Sequence, residues 1–288
     1  RPMFEGVTGV STGAMAAPFA FLGADYDEVL TEIYSSVGRD DIYRPEAVSG
    51  LLYGSALSNT QPLKRLVDAY VTLELIDAIA EQSRRGRSLS IVTTHFDALR
   101  PVIWDIGAIA NNRGEAALSL IRQIILASAA VPILFPPVPI EFQADGKTFT
   151  ELHVDGGLSH QAFVYPAQID VKGLNDLLGL NFRRQAFVIL NSNANGVYEP
   201  APVELAGIAQ RSLKTLLRNQ ARGDIERIYY LAERDDVDFN VVSIPNSFRA
   251  NRSLQFDTKY MQELLKLGYE IGRKGDFWRD QPPNGRLD

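Results

Sequence analysis

Gly9-Val10-Ser11-Thr12-Gly13 sets one serine between two glycines, the spacing of a nucleophile elbow at a strand-to-helix turn. The chain there bends so sharply that Cβ atoms at Gly9 and Gly13 are expected to find no room. The serine hydroxyl then stands at a helix N-terminus, where main-chain N–H groups favour developing negative charge. The chemistry these residues suit is acyl transfer through Ser11.

A serine hydroxyl is a poor nucleophile near neutral pH and needs a base within hydrogen-bond reach. The chain has three histidines, His95, His153 and His160, and none after residue 160. The Ser…Asp…His order of an α/β-hydrolase therefore leaves only His160 as its base and has no late histidine loop. The other candidate is Asp155, in Glu151-Leu152-His153-Val154-Asp155-Gly156-Gly157. A carboxylate at a strand end, followed by two glycines, has a backbone free to turn and can reach across a crevice. By itself Asp-Gly-Gly reads as a tight turn; beside the Ser11 elbow it reads as the partner. His153 alternates with Asp155 on one strand face and either orients it or is a structural histidine. His95 and His160 read as loop or surface residues. Met15, Phe19, Phe21 and Trp104 line an acyl pocket or, more simply, pack in the core.

The surrounding elements must hold these residues. Phe4 to Thr8 reads as a strand end and Thr12 to Leu22 as a buried helix kinked at Pro18. Asp25 to Ser36 and Gln61 to Gln82 read as helices. Ser88 to Thr94 and Pro101 to Asp105 read as strands, followed by a helix over Gly114 to Ala130. Asp145-Gly146 centres a hairpin that delivers a strand to Asp155. Gln185 to Asn191 and Phe239 to Ile244 read as further strands, Val203 to Ala232 as a helix with a break at Gly223-Asp224, and Tyr260 to Ile271 as the last helix. Pro132 to Pro139 and Pro200 to Pro202 read as loops, and the Arg252 region as a surface excursion. The alternation predicts a three-layer α/β/α sandwich around a mostly parallel central sheet, one domain over 1–288.

Composition narrows the function. The chain carries a net charge of −6 over 288 residues and has no basic cluster interleaved with aromatics, so nucleic acid is not an expected partner. There is no cysteine, which excludes disulfides, thiolate metal sites and a cysteine nucleophile. No His-x-x-x-His or clustered carboxylate pattern suggests a metal, and no cofactor is called for. The longest apolar run, Ile124 to Pro139, is broken by Ser128 and four prolines, short of the roughly 20 residues a bilayer span needs.

Taken together, Gly9 to Gly13 and Asp155-Gly156-Gly157 resemble the hallmarks of the patatin-like phospholipases. Ala127-Ser128-Ala129-Ala130-Val131-Pro132, Phe135-Pro136-Pro137, and Thr93-Thr94 with Asp97 behind them extend the likeness to the bacterial branch of that family. The resemblance implies that Ser11 is the nucleophile and Asp155 its general base, with no third catalytic residue. It implies hydrolysis of phospholipid, galactolipid or neutral acyl esters through an acyl-enzyme, with peripheral membrane contact compatible. It places the oxyanion on the Thr12 N–H and on a glycine-rich loop that precedes the elbow strand in family members. Ten residues precede Ser11 and none form such a loop. Arg1-Pro2-Met3 reads as a trimmed or processed start, so the domain is expected to lack its first strand and that loop. The alternative is a catalytically silent lipid- or partner-binding protein of the same fold.

Overall fold

The computed structural model describes residues 2–42, 44–45, 58–193, 200, 202–248 and 256–283. They fall into two compact units, Arg1–Gln161 with Arg252–Leu265, and Ala162–Asn251 with Lys266–Asp288. The Arg252 region and Ala201 lie outside the described residues.

In the first unit, β1 (Gly6–Val10) leads through Ser11 into α1 (Thr12–Leu22), which runs through Pro18 and buries Ala14, Ala17, Phe19 and Phe21. Then come α2 (Asp27–Ser36), α3 (Arg39–Ile42) and the short antiparallel pair β2 (Arg44–Pro45) and β3 (Ser58–Asn59). Where one helix is predicted over Gln61 to Gln82, there are two, α4 (Gln61–Tyr70) and α5 (Leu73–Arg84). Val71 is extended, and the Thr72 hydroxyl accepts the Leu75 N–H at 3.3 Å. That side chain satisfies an orphan donor of a new helix start, which local apolar spacing does not register.

The unit continues with β4 (Ser88–His95), β5 (Arg100–Asp105), α6 (Ile106–Asn111), α7 (Gly114–Ser128), β6 (Val138–Ala144) and β7 (Lys147–Asp155). Five of these strands form a central sheet in the order β1-β4-β7-β6, with β5 also paired to β4, and helices flank it. The sheet is mixed, not mostly parallel: β1 and β4 run parallel, and every other pair in it is antiparallel. For β4–β5 and β6–β7, connection length is the reason. Parallel strands need a crossover of a dozen residues or more, whereas short links return the chain antiparallel. Only Phe96–Leu99 join β4 to β5, and Asp145-Gly146 alone join β6 to β7. Asp145 and Gly146 have φ of 51° and 71°, the left-handed pair that a two-residue hairpin turn requires.

The second unit contains α8 (Val171–Leu178), β8 (Arg184–Asn193), α9 (Leu205–Arg234) and β9 (Val237–Ile244). β8 and β9 are parallel and form a sheet of their own rather than extending the first. α9 is the crossover, and it does not break at Gly223-Asp224. Ile225, Ile228 and Ala232 bury against Val188, Val237, Phe239 and Val241. Burial of two isoleucines outweighs the cost of a mid-helix glycine, about 1 kcal/mol. The last described helix is α10 (Thr258–Lys274).

Candidate active site

The elbow is built as its residue types require. Ser11 has φ 56° and ψ −125°, a region that non-glycine residues populate only when the surroundings hold them there. A Cβ on Gly9 would lie 2.6 Å from the Gly13 carbonyl oxygen and 2.7 Å from Ala17 Cβ, so glycine is obligatory there. Gly13 differs from expectation: a Cβ there meets nothing within 4 Å. The crowding falls on the strand side of the turn, because α1 folds back over β1 and leaves its own first turn open.

Arg87 holds both ends of this strand-turn-helix. Its guanidinium donates to the Phe4 carbonyl oxygen at 2.7 and 2.8 Å and to that of Phe21 at 2.6 Å, and it lies over the Phe21 ring. Ser128, fully buried at the end of α7, holds the middle. Its hydroxyl accepts the Ser11 N–H at 3.1 Å and donates to the Val92 carbonyl oxygen at 2.7 Å.

Asp155 arrives from the opposite direction. β1 pairs with one stretch of β4 so that Val10 faces Val92, and β7 pairs with the next so that Asp155 faces Thr93. Since β1 is parallel to β4 and β7 antiparallel, their C-terminal ends meet over two adjacent β4 residues. The junction is tight, and a Cβ on Gly156 would overlap the Val92 carbonyl. The turn after Asp155 is held by hydroxyls. Thr94 Oγ1 donates to the Asp155 carbonyl oxygen at 3.0 Å and lies 2.8 Å from Ser159 Oγ, which donates to the Gly156 carbonyl oxygen at 3.1 Å. The Asp155 N–H donates to the Ala130 carbonyl oxygen at 2.9 Å.

The result is a direct contact. Ser11 Oγ donates to Asp155 Oδ2 at 2.6 Å, while Oδ1 accepts the Gly157 N–H at 2.7 Å. Ser11 is half-buried and Asp155 is 2% exposed. Burial pushes the Asp155 carboxyl up to about 6, against the opposing pull of the Ser11 hydroxyl and the Gly157 N–H. A carboxylate beside a hydroxyl, with a pKa near working pH, can take and return that proton.

The other sequence candidates are elsewhere. His153 is fully buried, with Nδ1 2.9 Å from Thr93 Oγ1 and Nε2 3.2 Å from Glu151 Oε2, so it is bound to these two rather than to Asp155. Its burial lowers its pKa. His95 is not a loop or surface residue: it ends β4, is 9% exposed, and lies 3.2 Å from Glu151 through Nε2. Its Nδ1 accepts the Ala98 N–H, which leaves the proton on Nε2 and makes that atom a donor to Glu151 instead of a metal ligand. His160 is half-buried in the turn after Gly157, where its N–H donates to the Gly156 carbonyl oxygen. Trp104 Nε1 donates to Thr93 Oγ1 at 2.7 Å, Phe19 and Phe21 lie in the core, and Met15 packs against it. Arg87 and Ser159 carry no expectation from the sequence, and Thr94 and Ser128 enter it only as part of the family likeness, with no role at the site. Ser128 carried a signal, a lone hydroxyl in the apolar run Ile124-Ile125-Leu126-Ala127.

The sequence model of the patatin-like phospholipases matches residues 1–167, more than half of the chain, including Ser11, Ser128 and Asp155. The chain belongs to the patatin-like phospholipase family. Domains of this family are typically lipid acyl hydrolases, and the family implies lipid esters as substrates in general. The patatin-like stretch spans all five strands of the mixed sheet and both halves of the Ser11–Asp155 contact. Among solved structures the chain is similar to VipD from Legionella pneumophila, at 14% identity over 94% of this chain and 71% of that one, with a TM-score of 0.28. No curated protein matches the chain. Among the described residues no helix is long and apolar enough to cross a membrane.

Proposed function

We propose that this patatin-like chain is a serine acyl hydrolase that cleaves lipid acyl esters with Ser11 as nucleophile and Asp155 as general base. The observation that carries the reading is the 2.6 Å hydrogen bond from Ser11 Oγ to a buried Asp155 carboxylate. Asp155 Oδ2 accepts the hydroxyl proton as Ser11 Oγ bonds to the acyl carbonyl carbon, and the carbonyl electrons move to its oxygen. When the tetrahedral adduct collapses, Asp155 returns the proton to the departing alkoxide. A water then gives a proton to Asp155 as its oxygen bonds to the acyl carbon, and when this second adduct collapses Asp155 returns that proton to Ser11 Oγ, releasing the acid.

Thr12 is the first residue of α1, and its N–H is assigned to the oxyanion, where the helix dipole adds to the stabilisation. Neither step asks for a metal or a cofactor.

The test is labelling by a fluorophosphonate probe, which reports an activated serine. Ser11→Ala is expected to abolish it, and Asp155→Asn to slow it by about 10²- to 10⁴-fold, the usual worth of a general base. Wild-type labelling of Ser11→Ala overturns the assignment. Turnover of long-chain against short-chain esters then defines the lipid class.

A further inference from the structure

We propose that Ser128 is a positioning residue for acyl transfer, its buried hydroxyl holding the Ser11 main chain in the strained positive-φ conformation that aims Oγ at Asp155. The proposal rests on the reading of Ser11 as nucleophile. A serine hydroxyl has one proton and two lone pairs. The proton of Ser128 is directed to the Val92 carbonyl oxygen, so a lone pair faces the Ser11 N–H, and both bonds have a defined sense.

The choice of partners separates positioning from simple satisfaction of a buried hydroxyl. A serine at the end of a helix can bond the carbonyl one turn back in its own helix. Ser128 instead spans two other elements, the elbow and β4. Val92 is the β4 residue that pairs with Val10, so the bridge closes a small ring of contacts around the strained residue. Two residues further on, the Ala130 carbonyl accepts the Asp155 N–H. One short segment at the end of α7 thus holds the main chain of both reacting groups. Without the hydroxyl, Ser11 has lost the contact that opposes its return to a common backbone region, and a small rotation there swings Oγ off the carboxylate. Misplacement by about 1 Å costs on the order of 10²-fold in rate.

The experiment is fluorophosphonate inactivation of the whole chain, with the limiting rate and the half-saturating probe concentration measured separately. Wild type, Ser128→Ala and Ser128→Thr are compared at a temperature where circular dichroism finds each folded. Ser128→Ala is expected to lower the limiting rate about 10- to 100-fold at unchanged half-saturation, and Ser128→Thr, which keeps the hydroxyl, to restore most of it. A limiting rate unchanged in Ser128→Ala overturns the proposal. So does a loss that Thr fails to restore, or one that only tracks the unfolded fraction. Failure of the underlying reading is distinct: wild-type labelling of Ser11→Ala removes both conclusions, whereas Ser11-dependent labelling indifferent to Ser128 removes this one alone.

Discussion

Val10 and Asp155, which end two different strands, sit against Val92 and Thr93, neighbours on β4. Two strands running toward each other along one edge of a third put their terminal residues face to face. The Ser11–Asp155 contact is therefore set by sheet register. A slip of one residue in either strand would turn its side chains to the other face.

Because burial raises the Asp155 carboxyl to about 6, labelling at Ser11 should fall as the pH drops through about 6, where that carboxylate becomes protonated and, on the proposed mechanism, can no longer accept the Ser11 proton. A histidine titrates in the same range, so variants must separate the two. His153→Gln, which disturbs the Thr93 and Glu151 contacts, is expected to lower the melting temperature and keep the midpoint. His160→Gln should label normally with the same midpoint. A midpoint that vanishes in either variant would assign the base to histidine.

The same shift has a stability consequence of opposite sense to most aspartates. A folded-state pKa above the ordinary 3.8 means that Asp155 contributes stability below about pH 4 and loses it as the pH rises through about 6. Asp155→Asn removes the buried charge, so thermal melts should find it gaining on wild type between pH 4 and 8. The rise is expected to be on the order of 2–3 kcal/mol, from about 1.4 kcal/mol per pKa unit. A difference independent of pH would refute the buried-charge account.

The two elbow glycines should behave differently. Gly9→Ala collides with Gly13 and Ala17, and a loss of about 1–3 kcal/mol or more is expected from overpacking. Gly13→Ala meets open space within α1 and should gain roughly 0.5–1 kcal/mol from helix propensity. Urea unfolding midpoints measure both. Equal losses would mean that the helix side of the elbow is as crowded as the strand side.

Arg87→Leu takes the donors from the Phe4 and Phe21 carbonyls at once. The buried Phe21 carbonyl left unmatched costs about 1–3 kcal/mol, and the part-buried Phe4 carbonyl adds less. Denaturant melts should register that loss, accompanied by slower labelling because both ends of the elbow are freed. Unchanged stability would place these carbonyls in contact with water in the variant.

Much of the site was legible because its local parts are governed by nearest-neighbour sterics. Ser11 two residues after Gly9 at a strand end, Asp145-Gly146 in a hairpin and Asp155 before two glycines each follow from which residues tolerate positive φ or close approach. Ser128 and Arg87 were not legible as site residues, since a buried hydroxyl or guanidinium declares its partners only after distant segments meet. His95 misled because a histidine at a strand end looks exposed until Glu151 on the adjacent strand covers it.

The amino-acid sequence alone determined the alternation of helices and strands, the elbow at Ser11 and the candidate carboxylate at Asp155. These rest on periodicity and backbone conformation over a few residues. Tertiary structure decided the direction of the strands, the separation of β8 and β9 into their own sheet, the break at Thr72, and the partner of Ser11. That partner is 144 residues away, and only long-range pairing on β4, with its burial and hydrogen bonds, brings the two within 2.6 Å.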